Sequence, residues 1–271
     1  MRKPLAQPLG KFFADRGTHL AAMIAYFGLL SSVSLIFLTL AVLGWTGRAE
    51  ESGYLVEALQ HLFPSQPIEN IVSVVDEIRE NATALGVIGA SFLLWTSLSL
   101  FSVLESAFNI VYDQPNRSFL RGKYLATLFM AGSIVVLAIG LVLGSFGYDL
   151  LQRFAGGVVG NGVVAYLLSA GLSTLSVFVF LVLAYERLTN VALRLRDVWP
   201  GAALAAVLLQ LTFQVLPLFV RLSREVVAVQ ALGASVLLLV WIYVMANVIV
   251  FGAEVNWWRA RRDDDEVAGL A

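Results

Sequence analysis

Long apolar runs alternate with shorter polar connections along this chain. Six of these runs are long enough for helices that cross a bilayer, which takes about 20 residues. They fall at about 20–44, 85–105, 124–146, 158–185, 200–220 and 229–253. The pattern predicts an all-α, polytopic membrane protein with six transmembrane helices, in which residues 1–257 form a single membrane domain.

Two polar segments stand apart from the predicted spans. Residues 45–84 contain seven acidic and two basic residues, and their apolar residues recur at helical spacing on either side of Pro64 and Pro67. This segment is predicted to form a short amphipathic helical region between the first and second spans. Residues 258–271 are rich in charge and are predicted to form a cytoplasmic tail.

The second apolar run carries a stripe of polar residues. The stripe consists of Ser91, Trp95, Ser99, Ser102, Ser106, Asn109 and Asp113. Steps of three or four residues place them within an arc of roughly 80° on one helix, and Glu105 lies beside that arc. Because lipid cannot satisfy polar groups, we expect the stripe to face other helices or a cavity that they enclose. Two interpretations stay open: a seam where helices pack through small residues, or a polar path for a substrate.

Composition supports the membrane assignment and narrows the chemistry. Hydrophobic residues make up 59% of the chain and charged residues 14%, whereas soluble domains are about 25% charged. The sequence has no cysteine and only two histidines, His19 and His61. This excludes disulfides, thiolate chemistry and a metal site built on clustered histidines. Ser99 and Ser102 have no histidine or lysine nearby in sequence to activate them. We therefore predict that the chain is not an enzyme and has no catalytic residues, metal or cofactor.

Basic residues are distributed unevenly between the two predicted sides. Thirteen of the 18 lysines and arginines lie in the N-terminal segment, the second and fourth connections and the C-terminal tail. Cytoplasmic segments of membrane proteins carry an excess of these residues. The distribution predicts that both termini are cytoplasmic.

Candidate functional residues follow from the polar positions in the spans. The candidates for a substrate path are Trp95, Ser99, Ser102, Glu105, Asn109, Asn247 and Glu254. The candidates in the cytoplasmic connections are Arg117, Arg121, Asn190 and Asp197. Glu105 has two open interpretations: a pair with Arg117 or Arg121, or a carboxylate that couples transport to protons.

Four segments of the chain resemble one known family. They are AYFGLLSS at Ala25–Ser32, WTSLSLFSVLESAFNIVY at Trp95–Tyr112, the block from Tyr185 through Asn190 and Asp197 to Pro200-Gly201-Ala202, and LGASVLLLVWIYVMANVIVFGAEVN at Leu232–Asn256. Their order and spacing, over about Lys11 to Trp257, resemble the YihY/BrkB family of bacterial inner-membrane proteins. Ser34 and Thr189 stand where this family often has proline, so a kink in the first span and a turn before the fifth are expected to be softened.

The resemblance implies six spans, a bacterial plasma-membrane location and a role in the cell envelope. Roles proposed for the family include transport or export of a lipid-like substrate and resistance to serum killing. Some members have carried a ribonuclease label. This chain offers neither a histidine–aspartate metal cluster nor a basic groove for RNA, so we expect no nucleic-acid partner.

Two functions of different kinds remain open. The first is transport of an amphipathic or lipid-like molecule through a polar face of the second and sixth spans, with membrane lipids and that substrate as partners. The alternative is a non-transporting envelope scaffold that docks a partner through the acidic segment 45–84. The sequence determines neither the substrate, nor the direction and energy source of transport, nor whether the chain forms a homo-oligomer.

Overall fold

A computed structural model of the chain describes residues 6–45, 82–132, 162–224 and 234–267, and these residues form helices and turns without strands. The helices are α1 (Ala6–Ala14), α2 (Gly17–Trp45), α3 (Ala82–Val111), α4 (from residue 119, described to 132), α5 (Gly162–Leu188), α6 (Leu195–Arg224) and α7 (Ala234–Val267). For the part of the chain that is described, the all-α prediction is confirmed.

Four stretches are long and apolar enough to cross a membrane. They are Val87–Val111, Ala170–Leu188, Leu195–Leu216 and Val236–Arg262, and they correspond to the predicted second, fourth, fifth and sixth spans. Only 22–33% of the most apolar part of each stretch is buried within the chain, so most of these side chains are free to face lipid. Helix α2 covers the predicted first span. Most of the predicted third span, 124–146, and of the segment 45–84 lies outside the described residues, so the count of six stays a prediction.

Three helices extend beyond the predicted spans by five residues or more at one end. Helix α3 continues to Val111 instead of ending near residue 105, which places Glu105 well inside the helix. Helix α6 begins at Leu195, five residues before Pro200, because the Asp197 carboxylate accepts a hydrogen bond from the Arg194 main-chain N–H at 2.8 Å. A side chain that returns to the start of its own helix in this way satisfies a donor that would otherwise be unpaired. Helix α7 includes most of the predicted tail and ends at Val267.

The chain divides into two compact units. Unit 1 comprises residues 1–20, 101–214 and 247–271, and unit 2 comprises residues 21–100 and 215–246. The core of unit 1 contains Phe108 and Tyr185, whose rings meet edge to face at 5.0 Å between centroids. In unit 2, the Phe219 and Trp241 rings lie 5.2 Å apart.

The closest helix contact in unit 1 joins α6 to α7. A side chain at Gly201 would collide with the Gly252 carbonyl and the Asn256 side chain, and a side chain at Gly252 would collide with Ala205 and the Tyr185 hydroxyl. Small residues at such positions let two helix backbones approach each other in a membrane. This approach fixes the part of α7 that carries Glu254 and Asn256.

Candidate functional site

Polar side chains of unit 1 form two groups at the ends of its helices. The first, here called the loop cluster, consists of Glu105, Asn109, Asn116, Arg117 and Asn190. The second, here called the Glu254 cluster, consists of Lys11, Tyr112 and Glu254. Four members of the loop cluster were predicted from the sequence as functional candidates. In the second group, Glu254 was the one predicted candidate.

Arg117 ties the connection after α3 to the end of α5. Its Nη1 donates to Glu105 Oε1 at 3.2 Å and to the Leu188 carbonyl at 2.6 Å, while Nη2 donates to the Thr189 carbonyl at 2.7 Å. The last carbonyls of a helix have no partner within it and carry partial negative charge. Arg117 therefore caps α5, and Glu105, which is 5% exposed, balances its charge.

Asn109 joins the same two connections through its amide. Its Oδ1 accepts a hydrogen bond from the Asn190 main-chain N–H at 2.6 Å, and its Nδ2 donates to Asn116 Oδ1 at 3.2 Å. Asn116 in turn donates to the Ser106 hydroxyl at 3.1 Å, and Asn190 Nδ2 donates to the Pro115 carbonyl at 2.9 Å. Asn109 is fully buried, and both ends of its amide are used in holding the connections together.

The end of α3 is shaped by a residue in the left-handed region. Asp113 has φ of 53°, the Asp113 N–H donates to the Ile110 carbonyl at 3.1 Å, and the Gln114 N–H donates to the Asn109 carbonyl at 2.7 Å. These two bonds form the Schellman motif that commonly ends a helix. The exposed end of the predicted stripe is thus a helix cap.

The Glu254 cluster differs because its polar atoms are incompletely paired. Glu254 is fully buried, and its Oε2 lies 3.6 Å from Lys11 Nζ. Neither carboxylate oxygen has a hydrogen-bond partner among the described residues, and the same is true of the Tyr112 hydroxyl and Asn256 Nδ2. A buried polar group without a partner costs about 1–3 kcal/mol, so packing among the described residues does not explain why these groups are buried.

Lys11 places positive charge beside this cluster from α1. Its Nζ donates to the Val111 carbonyl at 2.8 Å, pairs with the Asp15 carboxylate, and lies 4.3 Å from the centre of the Trp257 ring. One side chain therefore connects the ends of α1 and α3 with α7. No periodicity in the sequence marks Lys11, because it is one of several basic residues near the N-terminus.

The pKa of the Tyr112 hydroxyl reflects burial and the negative charges nearby. Burial raises the pKa of its hydroxyl above the ordinary value, and the charges of Asp197 and Glu254 raise it further. The phenol is therefore a neutral hydrogen-bond donor over the physiological pH range. Tyr112 was not predicted from the sequence, because an aromatic residue at a helix end is typical of a packing contact.

Asn256 follows Glu254 by two residues on α7 and lies at the contact between α6 and α7. Its Oδ1 accepts a hydrogen bond from the Gly201 N–H at 2.6 Å, while its Nδ2 is the unpaired end. The Tyr185 hydroxyl donates to the Ile249 carbonyl at 2.7 Å and holds α5 against α7 nearby. Two residues turn a helix by about 200°, so Asn256 and Glu254 point to different sides of α7.

The other predicted residues lie apart from both clusters or have structural partners. Trp95 is 55% exposed and Ser91 is exposed, so the described residues leave the first end of the stripe uncovered. Ser99 donates to the Trp95 carbonyl of its own helix at 2.8 Å, and Ser102 accepts a hydrogen bond from Lys123 Nζ at 3.1 Å.

Four further predicted positions have distinct environments. Asn247 is half-buried on α7, Arg121 is exposed, and Asp197 caps α6. Thr189, where the resembled family often has proline, is buried and its hydroxyl donates to the Tyr185 carbonyl at 2.7 Å. Within the described ranges, no group of three or more histidine or acidic residues is placed to hold a metal ion.

Comparisons with known proteins agree with the membrane architecture. A UPF0761 membrane protein of Chromohalobacter salexigens is 29% identical over 96% of this chain and 64% of its own length. Another of Idiomarina loihiensis is 28% identical over 68% of this chain and 65% of its own length. The putative ribonuclease-like protein YfkH of Bacillus subtilis is 22% identical over 93% of both chains.

The matched region is therefore less than two thirds of the length of the first two relatives. No solved structure matches the chain significantly. The profile of the family described as Virulence factor BrkB matches residues 9–270, nearly the whole sequence. Together with its apolar helices, this match shows that the chain is a multi-pass membrane protein that belongs to the BrkB family.

Proposed function

We propose that this protein transports an amphipathic or lipid-like molecule across a bacterial inner membrane, with both termini in the cytoplasm and without enzymatic chemistry. The observation that carries the proposal is Glu254, a fully buried carboxylate within an apolar stretch whose oxygens have no hydrogen-bond partner among the described residues. Ionisable residues inside membrane spans are costly, and they commonly mark the paths of substrates and ions.

The neighbours of Glu254 suit a polar group that enters from outside the protein. Tyr112 has an unpaired donor among the described residues, Glu254 has two unpaired acceptors, and Lys11 supplies a positive charge. A substrate headgroup or water would complete these hydrogen bonds. Each interaction would then offset part of the cost of removing the headgroup from water.

The loop cluster supports a different role for Glu105 and Asn109. Their hydrogen-bonding groups are engaged in capping α5 and joining the two connections, so substrate binding would have to break these bonds. We therefore place the substrate contact at Glu254 and assign Glu105 and Asn109 to structure. Trp95, Ser99, Ser102 and Asn247 stay candidates for the rest of a route along the second and sixth spans.

Proteoliposomes test this proposal with a matched pair of variants. The probe is a tail-labelled fluorescent phospholipid whose transfer between leaflets is followed by quenching from outside. We expect the unmodified protein to accelerate transfer and Glu254→Gln to reduce that rate by about tenfold, equivalent to loss of a contact of about 1.4 kcal/mol in the rate-limiting step. Glu105→Gln removes the same charge from the loop cluster and is expected to keep at least half the rate.

Two results would contradict the proposal. The first is transfer no faster than in protein-free liposomes. The second is transfer by Glu254→Gln at the rate of the unmodified protein. The scaffold alternative depends on residues 45–84, most of which lie outside the described residues, and no structural observation favours it.

A further inference from the structure

A groove lies where the connection between α5 and α6 meets the membrane-spanning stretches of unit 1. Its volume is about 520 Å³, and it is lined by Phe178, Arg194, Leu195, Arg196 and Trp199. Leu195 is 60% exposed and Trp199 is 46% exposed. An open groove with apolar walls and two arginines at its edge is suited to a ligand with both an apolar and a charged part.

The charged side chains that line this groove are positive and exposed. The Arg194 and Arg196 guanidinium groups have no ion-pair partner among the described residues, and both residues are exposed. The nearby Asp197 carboxylate binds the Arg194 main-chain N–H. A third guanidinium, that of Arg259 on α7, lies 5.8 Å from the centre of the Trp199 ring. The groove therefore offers several cationic groups around one aromatic ring.

The groove also lies at the border between apolar and polar parts of the chain. Phe178 belongs to the apolar stretch Ala170–Leu188, Trp199 belongs to Leu195–Leu216, and Arg194 immediately precedes the second stretch. Tryptophan is enriched where membranes meet water. Guanidinium groups bind phosphate through paired hydrogen bonds, and basic pockets between spans hold anionic lipid headgroups.

We propose that this groove binds an anionic phospholipid. Arg194 and Arg196 contact the headgroup phosphate, Trp199 lies at the level of the glycerol backbone, and Phe178 and Leu195 contact the acyl chains. A free anion would leave these apolar walls unused. This site goes beyond the proposed transport, because lipid binding here does not require that the Glu254 cluster passes any molecule.

Native mass spectrometry of the full chain in detergent tests the site with defined probes. The probes are phosphatidylglycerol, zwitterionic phosphatidylcholine and inorganic phosphate alone. One basic residue near an anionic group contributes about fivefold in binding. The double variant Arg194→Gln/Arg196→Gln is therefore expected to weaken phosphatidylglycerol binding about 25-fold and to weaken phosphatidylcholine binding by a clearly smaller factor, because the choline charge offsets its phosphate.

A control variant removes two positive charges outside the groove. Arg121→Gln/Arg187→Gln alters exposed residues that do not line the groove, and it is expected to bind phosphatidylglycerol like the unmodified protein. If the double groove variant does not fold, Arg196→Gln alone serves as a smaller change, with an expected loss of about fivefold.

Three results would overturn the site. These are equal binding of phosphatidylglycerol and phosphatidylcholine by the unmodified protein, equal losses in the groove and control variants, or displacement of phosphatidylglycerol by an equal concentration of inorganic phosphate. A failed leaflet-transfer assay with intact, groove-dependent lipid binding would reject the proposed transport and leave this site standing.

Discussion

Unit 1 contains two buried glutamates that have different surroundings. Glu105 accepts a hydrogen bond from Arg117 at 3.2 Å, and Arg117 also donates to three main-chain carbonyls at the end of α5. Glu254 has Lys11 at 3.6 Å, but neither of its oxygens has a hydrogen-bond partner in the described part of the chain. Burial and a nearby base are common to both. What separates a structural carboxylate from a functional candidate here is the completeness of its hydrogen bonding.

Removal of Arg117 should produce the largest effect on stability. Arg117→Ala leaves the Glu105 charge buried without its partner and uncaps α5, so we expect the free energy of unfolding to fall by about 3–5 kcal/mol. Steric-trapping measurements in bicelles give this quantity for membrane proteins. Arg121→Ala, at an exposed position of the same connection, serves as the control and should change it by less than about 0.5 kcal/mol. Similar values for both variants would show that the loop cluster is not a structural cap.

Replacement of Asn109 should have the next largest effect. Asn109→Leu keeps a similar volume but removes the partners of the Asn190 N–H and of Asn116 Oδ1. We expect a loss of about 2–3 kcal/mol in the free energy of unfolding, measured in the same way. Ser99→Ala is the comparison on the same helix, because Ser99 bonds only to a carbonyl of its own helix among the contacts described. A loss no greater for Asn109→Leu than for Ser99→Ala would contradict the assignment.

A substitution at Asp113 should stabilise the protein without altering the side-chain hydrogen bonds of the loop cluster. Asp113 has a left-handed backbone conformation, which glycine adopts without steric cost. Asp113→Gly is therefore expected to raise the free energy of unfolding by about 0.5–1 kcal/mol. Asp113→Ala, which cannot relieve this conformation, is the matched control and should not stabilise the protein. Stabilisation by both variants would point to removal of charge as the cause.

Glu254→Gln should change stability least. The substitution replaces a buried carboxyl group that lacks hydrogen-bond partners among the described residues, while Lys11 keeps Asp15 and the Val111 carbonyl as partners. We expect the free energy of unfolding to change by less than about 1 kcal/mol, although transfer of labelled lipid should fall. A loss comparable to that of Arg117→Ala would mean that Glu254 is as structural as Glu105.

The sequence predicted the helical architecture because apolar runs of span length are an unambiguous local signal. It also predicted the pair of Glu105 and Arg117 as one of two interpretations, because the two residues are close in sequence: twelve positions apart, with Arg117 in the connection that follows α3. It could not indicate that Trp95 would be exposed, because helical periodicity places residues on one face but does not say which helix covers that face.

For a related reason, most members of the Glu254 cluster could not be predicted from the sequence. Lys11 and Tyr112 come from two distant segments, and only tertiary packing brings them near Glu254. The Gly201–Gly252 approach that positions Asn256 depends on two glycines that are inconspicuous among the 22 in the chain. Local patterns can identify each polar residue but cannot show which of them lack partners.

The absence of cysteine from the sequence allows the central contrast to be measured directly by cysteine labelling. Single variants Glu254→Cys and Thr189→Cys place a thiol in the Glu254 cluster and beside the loop cluster, where Thr189 is buried and its hydroxyl is paired. A small charged methanethiosulfonate reagent reacts with the thiolate, which requires access to water. The account predicts modification at position 254 at least about tenfold faster than at position 189 in folded protein. Equal rates, or no reaction at position 254, would contradict it.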